Sequence, residues 1–436
     1  MPGAFYLKKS HIRLKKTIHG AIIVTLINPG GCTVRKLDLS SLNQEARASL
    51  ERMFTLYGDG MYKWLARLWE PEIGGFYYSN SARDHEGFLP DVESTAQAIH
   101  ALRNNGLFEK YNGEFRTALP EDFQKKVVNY VQGLQDEDGF FYHPQWGKDI
   151  PIMRRGRDYS WSIGLLDMFG GEPLYTPASE QISGGNSKAS SPNLSSMEAF
   201  LNFLHNKYDL NKYFNHLAHV LQAQISEICA GGYLDVCIDF LESHQRPETG
   251  LWGDGPSYNG VTALMKLTLL YKTVKHHMRY AETAADSCMT VLLSDEPDTR
   301  LVDITNPWVA IINLVDMLRA EGDNALADKI VAKVRDNAGP LLDKTREKLL
   351  RYSQSGQTFS FLPYYTNYES QLVHVALKRE AEGDVNATVI AYGNLKRIMT
   401  LLGVPTPEIY GDDEYRDFLN ILNSNTVPKK KPQPER

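Results

Sequence analysis

The sequence predicts an all-α fold, an α/α toroid of about six helical hairpins, preceded by a short β or irregular N-terminal arm. A phrase made of a helical run, a polar turn and Gly before an aromatic or apolar pair occurs three times, at 64–76, 128–141 and 237–252. A second apolar helix is expected after each copy, at 91–102, 158–168 and 258–269. Such a unit cannot bury its apolar face alone, so copies must stack, and closure into a ring hides both terminal faces.

The other segments follow in chain order. Residues 1–38 are β-prone or irregular and form the predicted arm, and Asp38 or Ser40 is the expected N-cap of the first helix. The toroid, predicted to be the catalytic domain, spans 39–422. Within it, 178–195 are too rich in Ser, Gly and Asn to pack and are expected to form a surface loop. The Pro- and Lys-rich end, 423–436, is predicted to be a disordered tail.

Inside the toroid, outer helices should be amphipathic and charged, whereas inner helices should be less charged, with small and aromatic residues. Outer helices are predicted at 42–69, 121–135, 232–244, 280–293 and 324–350. Inner helices are predicted at 91–103, 158–168, 258–273, 306–320 and 367–381. A sixth pair is expected from 195–227.

Composition excludes several classes of protein. The 436 residues are 42% hydrophobic and 23% charged, which is enough to bury a large core. A formal net charge of -6 argues against a general nucleic-acid binder, because phosphate binding needs clustered Lys and Arg. The four cysteines show neither zinc-site spacing nor disulfide density. The sequence contains no phosphate loop, dinucleotide fingerprint, nucleophile elbow or HExxH.

The N-terminus raises the question of export. Basic residues precede an apolar run at 21–27, and Cys32 follows Gly30 and Gly31, which is a weak likeness to a signal peptide or lipoprotein site. The run is far too short to span a membrane. We predict a cytoplasmic location, with export as the alternative, and the arm is then a small strand pair that turns at Pro29.

The candidate substrate-binding residues lie at or just before the predicted inner helices, whose N-terminal ends should meet at one mouth of the ring. They are carboxylates, arginines, amides and aromatic residues, which suit a polyol because aromatic faces pack on sugar C–H surfaces and planar polar groups bond hydroxyls. These residues are Arg83, His85, Arg154, Arg155, Arg157, Tyr159, Trp161, Trp252, Tyr258, Asn259, Trp308, Asn367, Tyr368 and Glu369. For the three tryptophans, packing in the core is the alternative.

Asp91, Glu93 and Asp158 are the candidate catalytic residues. Asp91 follows Pro90 and is expected to cap a helix, which lowers its pKa, whereas burial against aromatic residues is expected to raise the pKa of Glu93. Asp158, on a neighbouring inner helix, supplies the second carboxylate that glycoside hydrolysis needs. The alternatives are that Asp91 and Glu93 only stabilise the helix start and that Asp158 only neutralises arginines.

Arg154, Arg155 and Arg157 form a basic cluster in front of Asp158. Guanidinium groups bind carboxylates or phosphates bidentately, so a uronic-acid sugar or a diphosphate is a candidate ligand, and a solvated basic loop is the alternative. His216 and His219 have helical spacing, but the sequence offers no third ligand nearby. We therefore predict no metal site, and no cofactor is expected.

Two sequence features resemble a known superfamily. The segments 135–140 (QDEDGF) and 245–252 resemble the QW-type repeats of terpenoid cyclases and prenyltransferases, whose fold is an α/α toroid. The segment 90–96 (PDVESTA) looks like the DxDDTA motif of class II terpene cyclases, which implies that Glu93 protonates an isoprenoid. Here Glu93 replaces the middle Asp and Ser94 the last one, and the chain has room for one barrel where those cyclases usually have two. The predicted architecture is also similar to helical-toroid glycoside hydrolases and polysaccharide lyases.

The leading functional prediction is a carbohydrate-active enzyme, a glycoside hydrolase that cleaves oligosaccharides, including uronate-containing ones, with a carboxylate acid/base pair. It rests on a polar mouth and on 23 Tyr against 17 Phe, since a cavity for hydrocarbon would favour Phe, Leu and Ile. The alternatives are a terpene-cyclase-like enzyme, a polysaccharide lyase that uses Tyr, His and Arg, and a non-catalytic binding module. The expected partner is a small-molecule or oligosaccharide substrate, without nucleic acid or a membrane span.

Overall fold

A computed structural model describes residues 11–14, 24–28, 31–32, 39–104, 118–183, 191–253, 255–405, 412–425, 428 and 430–433. This part of the chain forms 18 α-helices and nine short β-strands, which confirms the predicted all-α class. The expected N-cap Asp38 lies outside the described residues. The first helix begins after Asn43, whose side chain accepts a hydrogen bond from the amide of Ala46 at 2.8 Å.

The strands form four small antiparallel sheets. The arm contains β1 (His11–Leu14), β2 (Val24–Asn28) and β3 (Gly31–Cys32), in which His11 pairs with Ile27 and Asn28 with Gly31. These strands agree with the predicted β arm. The other sheets are two-stranded hairpins: β4 (Trp69–Glu70) with β5 (Gly75–Phe76), β6 (Ser353–Gln354) with β7 (Thr358–Phe359), and β8 (Glu369–Ser370) with β9 (Val373–His374).

The helices occupy most of the remaining described chain. The first nine are α1 (Gln44–Phe54), α2 (Gly60–Arg67), α3 (Asn80–Asp84), α4 (Val92–Asn104), α5 (Glu121–Gly133), α6 (Ile152–Phe169), α7 (Ala178–Ser183), α8 (Met197–Asn206) and α9 (Leu210–Ala223). They are followed by α10 (Ile225–Ala230), α11 (Leu234–His244), α12 (Tyr258–Val274), α13 (Ala281–Leu293), α14 (Leu301–Ala320), α15 (Asn324–Asp336), α16 (Ala338–Leu349), α17 (Val385–Leu402) and α18 (Asp412–Ser424).

Several helix boundaries differ from the predictions. The segment 42–69 is split into α1 and α2, and 324–350 into α15 and α16. The predicted inner helix at 367–381 is wrong, because this segment forms β8 and β9 and contains three non-glycine residues with positive φ, Gln371, Leu372 and Arg379. The helix starts later, at α17, where the Asp384 side chain caps it by accepting from the amide of Ala387 at 2.8 Å.

Six helices of the described chain form a closed cycle of neighbours. Helix α4 packs against α6, α6 against α9, α9 against α12, α12 against α14, α14 against α17, and α17 against α4. Four predicted inner helices, at 91–103, 158–168, 258–273 and 306–320, fall on this six-helix cycle. Other helices pack on its members from different segments of the chain: α5 contacts α6, and α13 and α15 contact α14.

The glycine of the repeated phrase permits close packing between backbones. Gly250 has a φ of 66°, and a Cβ atom there would lie 2.4 Å from the backbone nitrogen of Ala284 on α13. At the matching position of the second copy, a Cβ on Gly139 would lie 2.4 Å from the nitrogen of Ala178 on α7. Only a residue without Cβ allows this approach. The repeat therefore encodes the contact between each Gly-aromatic turn and a following helix.

Helix α14 is long and apolar enough to cross a membrane, and 78% of its apolar window is buried inside the protein. It contacts α12 and α17 within the six-helix cycle. Its burial explains its composition, because a helix that is apolar on all sides belongs in the core of a large protein or in a bilayer. No membrane span is indicated among the described residues.

The described part of the predicted tail lies along residues 67–88. The side chain of Asn425 donates to the carbonyl of Trp69 at 2.6 Å. Lys430 Nζ donates to the carbonyl of Phe88 at 2.5 Å and lies 4.6 Å from the centre of the Tyr77 ring. For these residues the structure differs from the predicted disordered tail, because a lysine stem can pack on an aromatic face while its ammonium group finds an acceptor.

The close approach at Gly250 predicts a selective loss of stability. Gly255 also has a positive φ, 80°, but a Cβ there would meet nothing within 4 Å, so Gly255→Ala is the matched control. Both alanines should lose about 1–2 kcal/mol for the left-handed backbone, and Gly250→Ala should lose roughly 1–3 kcal/mol more for overpacking. Urea unfolding followed by circular dichroism measures both. Equal losses would contradict the packing role of the repeat.

Candidate functional site

The centre of the candidate site is Arg154, whose guanidinium lies among the three predicted catalytic carboxylates. Its Nη2 is 3.2 Å from Asp91 Oδ1 and 2.9 Å from Asp158 Oδ1, its Nη1 is 3.1 Å from Glu93 Oε2, and its Nε donates to Asp158 Oδ2 at 3.0 Å. Arg154 is fully buried, and no more than 3% of each carboxylate residue is exposed. The structure therefore brings together the three carboxylates that the sequence analysis selected, and their catalytic role stays a prediction.

Local sequence explains how Asp91 reaches this place. The carbonyl of Pro90 accepts from Tyr130 Oη at 2.7 Å and from His143 Nε2 at 2.8 Å, so His143 carries its proton on Nε2. Burial lowers the pKa of His143, which favours this neutral form. The carboxylate of Asp91 then accepts from the amide of Ser94 at 3.0 Å, and it caps α4 as predicted.

An aromatic side chain covers the other side of Arg154. The ring of Trp146 lies 4.4 Å from the guanidinium carbon, a cation–π distance, and packs at a tilt against His143, with 4.2 Å between the ring centres. Trp146 Nε1 also donates to the carbonyl of His374 at 3.2 Å, which ties this cover to the β8–β9 hairpin. Arg154 is thus enclosed by carboxylates and by an indole ring, so this arginine is not available to a ligand.

The electrostatics of Glu93 differ from the prediction. Burial raises the pKa of Glu93, but the positive charges of Arg157 and Arg154 outweigh it, so the pKa lies below its usual value. Arg157 Nη2 donates to Glu93 Oε1, and Ser370 Oγ donates to Oε2 at 3.2 Å. The expected raised pKa is wrong, because the sequence did not show that two arginines would converge on this carboxylate. Glu93 is ionised at neutral pH.

Asp158 shows the opposite behaviour. Burial raises its pKa to about 7, although Arg154 acts in the other direction. Its Oδ1 is buried and has no hydrogen bond of good geometry within the described part of the chain. The pairing with Arg154 also supports the alternative that Asp158 neutralises an arginine. Glu93 and Asp158 therefore contact the same guanidinium, but Asp158 binds its proton more tightly than Glu93 does.

Each helix of the six-helix cycle carries partly exposed residues, and on five of the helices a subset of them is spaced three, four or seven residues apart. We call these positions the exposed rows: His100 on α4; Met153, Arg157 and Trp161 on α6; Asn215, His219 and Gln222 on α9; Asn259, Lys266 and Leu269 on α12; Val302, Val309 and Asp316 on α14; and Asn386, Ile390 and Arg397 on α17.

Hydrogen bonds connect these rows, and the residues beside them, between neighbouring helices. Asn215 Nδ2 donates to Asn259 Oδ1 at 3.1 Å. Gln97, one turn after Glu93 on α4, donates to Asn386 Oδ1 on α17 at 2.8 Å. Amide side chains near the starts of four cycle helices are thereby joined in pairs. These hydrogen bonds join α9 to α12 and α17 to α4.

Lys266 and His219 add two titratable groups to this arrangement. Lys266 is half-buried and has no hydrogen bond or ion pair within the described part of the chain. Burial and the positive charge of Arg157 lower the pKa of Lys266 to about 7, while Glu93 opposes them. Burial and the charges of Lys266 and Arg157 lower the pKa of His219 well below its usual range. The interacting residues come from four consecutive helices of the cycle: Glu93 from α4, Arg157 from α6, His219 from α9 and Lys266 from α12.

Other predicted substrate-binding residues lie in the core or away from the site. Trp252 and Trp308 are buried, and their Nε1 atoms donate to Leu241 O at 2.8 Å and to Thr345 Oγ1 at 3.1 Å. Tyr258 is also buried, and its hydroxyl accepts from Lys348 at 2.7 Å. For both tryptophans the alternative, core packing, describes their position. Trp308 lies on α14, where periodicity did not distinguish the two faces of the helix, and Trp252 lies in the turn before α12.

Four further predicted residues have other partners. Arg83 pairs with Asp84 at 2.7 Å, and His85 Nδ1 bonds the carbonyl of Ser81 at 3.0 Å, so both belong to the α3 region. Arg155 donates to Ser191 Oγ at 2.7 Å and lies 4.5 Å from the Phe140 ring. Tyr159 bonds Ser179 Oγ at 2.7 Å. Arg155 and Tyr159 thus contact segments other than the Arg154 cluster.

The remaining predicted residues stay near the exposed rows or the β8–β9 hairpin. Trp161 lies 5.5 Å from the His100 ring, and Asn259 belongs to the row on α12. Asn367 bonds the carbonyl of Glu369, Tyr368 packs edge-on against His374 at 5.7 Å, and Glu369 lies 3.5 Å from His374. Because Ser370 follows directly and contacts Glu93, this hairpin forms one wall of the site.

Sequence reasoning missed Gln97, Trp146, Lys266, Ser370 and Arg397. Lys266 and Arg397 had a usable signal, since each is a charge inside an apolar helix. Lys266 stands two helical turns after Asn259, on the same face. Trp146 and Ser370 lie in irregular loops, and no periodicity indicates which way their side chains point.

Comparisons with protein-family models, with curated proteins and with solved structures found no match to this chain. The resemblance to terpenoid cyclases and the cytoplasmic location therefore stay predictions. Among the described residues, no group of three or more His, Cys, Asp or Glu is arranged to hold a metal ion.

The raised pKa of Asp158 predicts how stability depends on pH. Its pKa is about 7 in the folded protein and about 3.9 in the unfolded chain, so its contribution to stability is complete below about pH 4 and is lost as the pH rises through 7. Between these pH values the free energy of unfolding should therefore fall as the pH rises. Asp158→Asn should reduce the slope of this fall by up to about 1.4 kcal/mol per pH unit.

Urea unfolding at several pH values from 4 to 8 compares the two proteins. The pKa of Asp384 is also about 7, so part of the slope should remain in the variant. Asp343→Asn, which alters a surface ion pair with Arg52, is the control. An unchanged slope in Asp158→Asn would mean that Asp158 is ionised in the folded protein across this range.

Proposed function

We propose that the six-helix cycle is an α/α toroid and that the chain is a carbohydrate-active enzyme that cleaves a uronate-containing oligosaccharide on its axis. The exposed rows would then line the axial cavity, which we call the lumen. The observation that carries the proposal is the convergence of Glu93, Arg157, His219 and Lys266 from four consecutive helices. Glu93, near the start of α4, would lie close to one mouth of the lumen.

The chemistry of these side chains favours a polar, anionic substrate. Asn215, Asn259 and Asn386 offer amides that bond hydroxyl groups, and Trp161 offers a flat face for a sugar ring. Arg157 and Lys266 offer positive charge, and Lys266 has no protein carboxylate to pair with in the described part of the chain. A uronate supplies both hydroxyl groups and the missing negative charge.

The terpene-cyclase alternative fits less well. In that chemistry a carboxylic acid protonates a hydrocarbon double bond, and the resemblance assigned this step to Glu93. Two arginines instead hold Glu93 in its ionised form. A hydrocarbon ligand would also displace water from the charged side chains of the lumen without offering them hydrogen bonds or an opposite charge, which is unfavourable. A purely structural module is disfavoured for a related reason, because a packed scaffold gains nothing from an unpaired interior lysine.

Two reactions follow from different observations. The half-buried Lys266, which has no ion-pair partner among the described residues, favours β-elimination. In this reaction a neutral Lys266 takes the proton on the carbon next to the uronate carboxyl group, a carbon–carbon double bond forms, and the bond to the glycosidic oxygen breaks. The proton then passes to the leaving oxygen. Arg157 would stabilise the negative charge that develops on the carboxyl group.

The opposite pKa shifts of Glu93 and Asp158 favour hydrolysis as the second candidate. An ionised Glu93 would act as base and a protonated Asp158 as acid, which is the division that paired carboxylates show in glycosidases. Arg154 lies between Glu93 and Asp158. A substrate could therefore bind between the two carboxylates only if Arg154 moved. For this reason elimination is the reaction that we favour.

Recognition of the uronate is tested by its dependence on Arg157. We expect Arg157→Ala to weaken binding of a uronate-containing oligosaccharide by about tenfold or more, because a hydrogen bond to a charged group contributes roughly 1.5–3 kcal/mol. A neutral oligosaccharide of the same length should bind equally to both proteins. Arg155→Ala is the matched control, since Arg155 contacts Ser191 and Phe140. Equal losses for both sugars, or none, exclude recognition of the anion by Arg157.

Turnover and products test the reaction. Lys266→Met should lower the rate about 10²- to 10⁴-fold if Lys266 transfers the proton, with the melting temperature kept. Asp91→Asn, Glu93→Gln and Asp158→Asn separate the carboxylate mechanism, and Asp343→Asn serves as the surface control. Elimination yields an unsaturated uronate that absorbs ultraviolet light, whereas hydrolysis yields a new reducing end without it. If no uronate-containing or neutral oligosaccharide is cleaved, the proposed enzymatic function fails.

A further inference from the structure

We propose a second anion-binding subsite at Arg397, farther along the lumen than Glu93, so that the substrate carries at least two negatively charged groups. The identity of the ligand rests on the proposed function above. The existence of an anion subsite at Arg397 does not, and it is tested separately below.

Arg397 is a charged side chain on a largely apolar helix. Leu395 and Ile398 on the same helix are 2% and 0% exposed, whereas Arg397 is partly exposed. It makes no hydrogen bond or ion pair within the described part of the chain. Burial lowers the pKa of Arg397, yet a guanidinium stays charged at physiological pH. Because an unpaired, partly desolvated charge destabilises the folded state, an anion bound there would restore the lost interactions.

Arg397 lies on the same face of α17 as Asn386, which contacts the candidate site. Asn386, Ile390, Gly393 and Arg397 follow one another at spacings of four, three and four residues, so they share one face of the helix. Asn386 accepts from Gln97, which also donates to Glu93. This face is therefore continuous with the candidate site, and Arg397 lies about 16 Å beyond Asn386 at 1.5 Å per residue.

The lack of a side chain at Gly393 leaves space for the guanidinium of Arg397. A Cβ atom at this position would lie 3.0 Å from Arg397 Nη1, so the guanidinium extends back over the glycine, toward the Asn386 end. Side chains of helices normally tilt this way. The charged group is thus nearer to the Glu93 end of the helix than its own Cα, and it lies beside a stretch of backbone without a side chain.

Lys266 and Arg397 are separate binding points. They belong to α12 and α17, which are not adjacent in the cycle, and neither charge contributes to the pKa shift of the other. Lys272, also on α12, is different, because it bonds Asp316 at 3.0 Å and Asn313 at 3.3 Å. Lys266 and Arg397 thus have no carboxylate partner within the described part of the chain, whereas Lys272 is paired. Two unpaired cations at different levels fit two anionic groups on one chain of sugars.

The experiment compares two oligosaccharides of equal length, one with a single uronate and one with two. Isothermal titration calorimetry is done with wild type, Arg397→Met, Arg397→Lys and the paired-lysine control Lys272→Met. In wild type and in the control, the second carboxylate should improve affinity by about tenfold or more. In Arg397→Met this advantage should disappear, and Arg397→Lys should keep part of it. Without ligand, Arg397→Met should melt at or above the wild-type temperature, since methionine leaves no unpaired charge.

The outcomes separate this inference from the proposed function. If wild type binds both oligosaccharides and Arg397→Met keeps the full advantage of the second carboxylate, the subsite is excluded and the proposed function stands. If wild type binds neither, the proposed function fails, and inorganic phosphate becomes the probe. Phosphate that raises the melting temperature of wild type and Lys272→Met, but not of Arg397→Met, supports the anion subsite. An equal response in all three proteins, or none, overturns it.

Discussion

The pairing of Arg154 with Asp91, Glu93 and Asp158 is the interaction on which the candidate site depends. A carboxylate or guanidinium without a partner is too costly to bury, and the removal of one partner from a buried ion pair typically costs about 3–5 kcal/mol. Here one guanidinium serves three carboxylates from α4 and α6. The two helices are therefore held at one relative position, and Glu93 and Arg157 are oriented by residues that no ligand needs to touch.

This arrangement divides the charged groups into two sets. Arg154, Asp91 and Asp158 satisfy one another inside the protein, under Trp146. Arg157, whose side chain is 23% exposed, bonds Glu93, and its positive charge lowers the pKa of both Lys266 and His219. Because burial and like charges lower the pKa of both Lys266 and His219, His219 is neutral at neutral pH and Lys266, with a pKa of about 7, is about half protonated without an anion. A bound carboxylate would favour proton uptake by Lys266, so binding and protonation are coupled.

Much of this could be predicted from sequence, and the reasons for the rest are physical. The Gly-aromatic repeat indicated helical hairpins correctly because Gly250 and Gly139 leave space that no other residue can leave. Capping chemistry identified Asp91 correctly, since it depends on residues three positions apart. The pKa of Glu93 was predicted wrongly because it depends on Arg157 and Arg154, which are distant in sequence. The helix expected at 367–381 was wrong because residues with positive φ turn the chain there. Local patterns thus predicted elements, whereas charges that meet across helices required the fold.

Lys266 and Arg397 point to a conflict between stability and function. A sequence selected only for stability would replace both by apolar side chains, because α12 and α17 are largely buried and contain no carboxylate. By contrast, Lys272 on α12 is paired with Asp316. The two unpaired charges lie on rows that continue from the Glu93 end of the cycle. Their cost to the folded state is understandable if an anionic ligand provides the partner that the chain lacks, and the ligand then binds more tightly because the site is already desolvated and held in place.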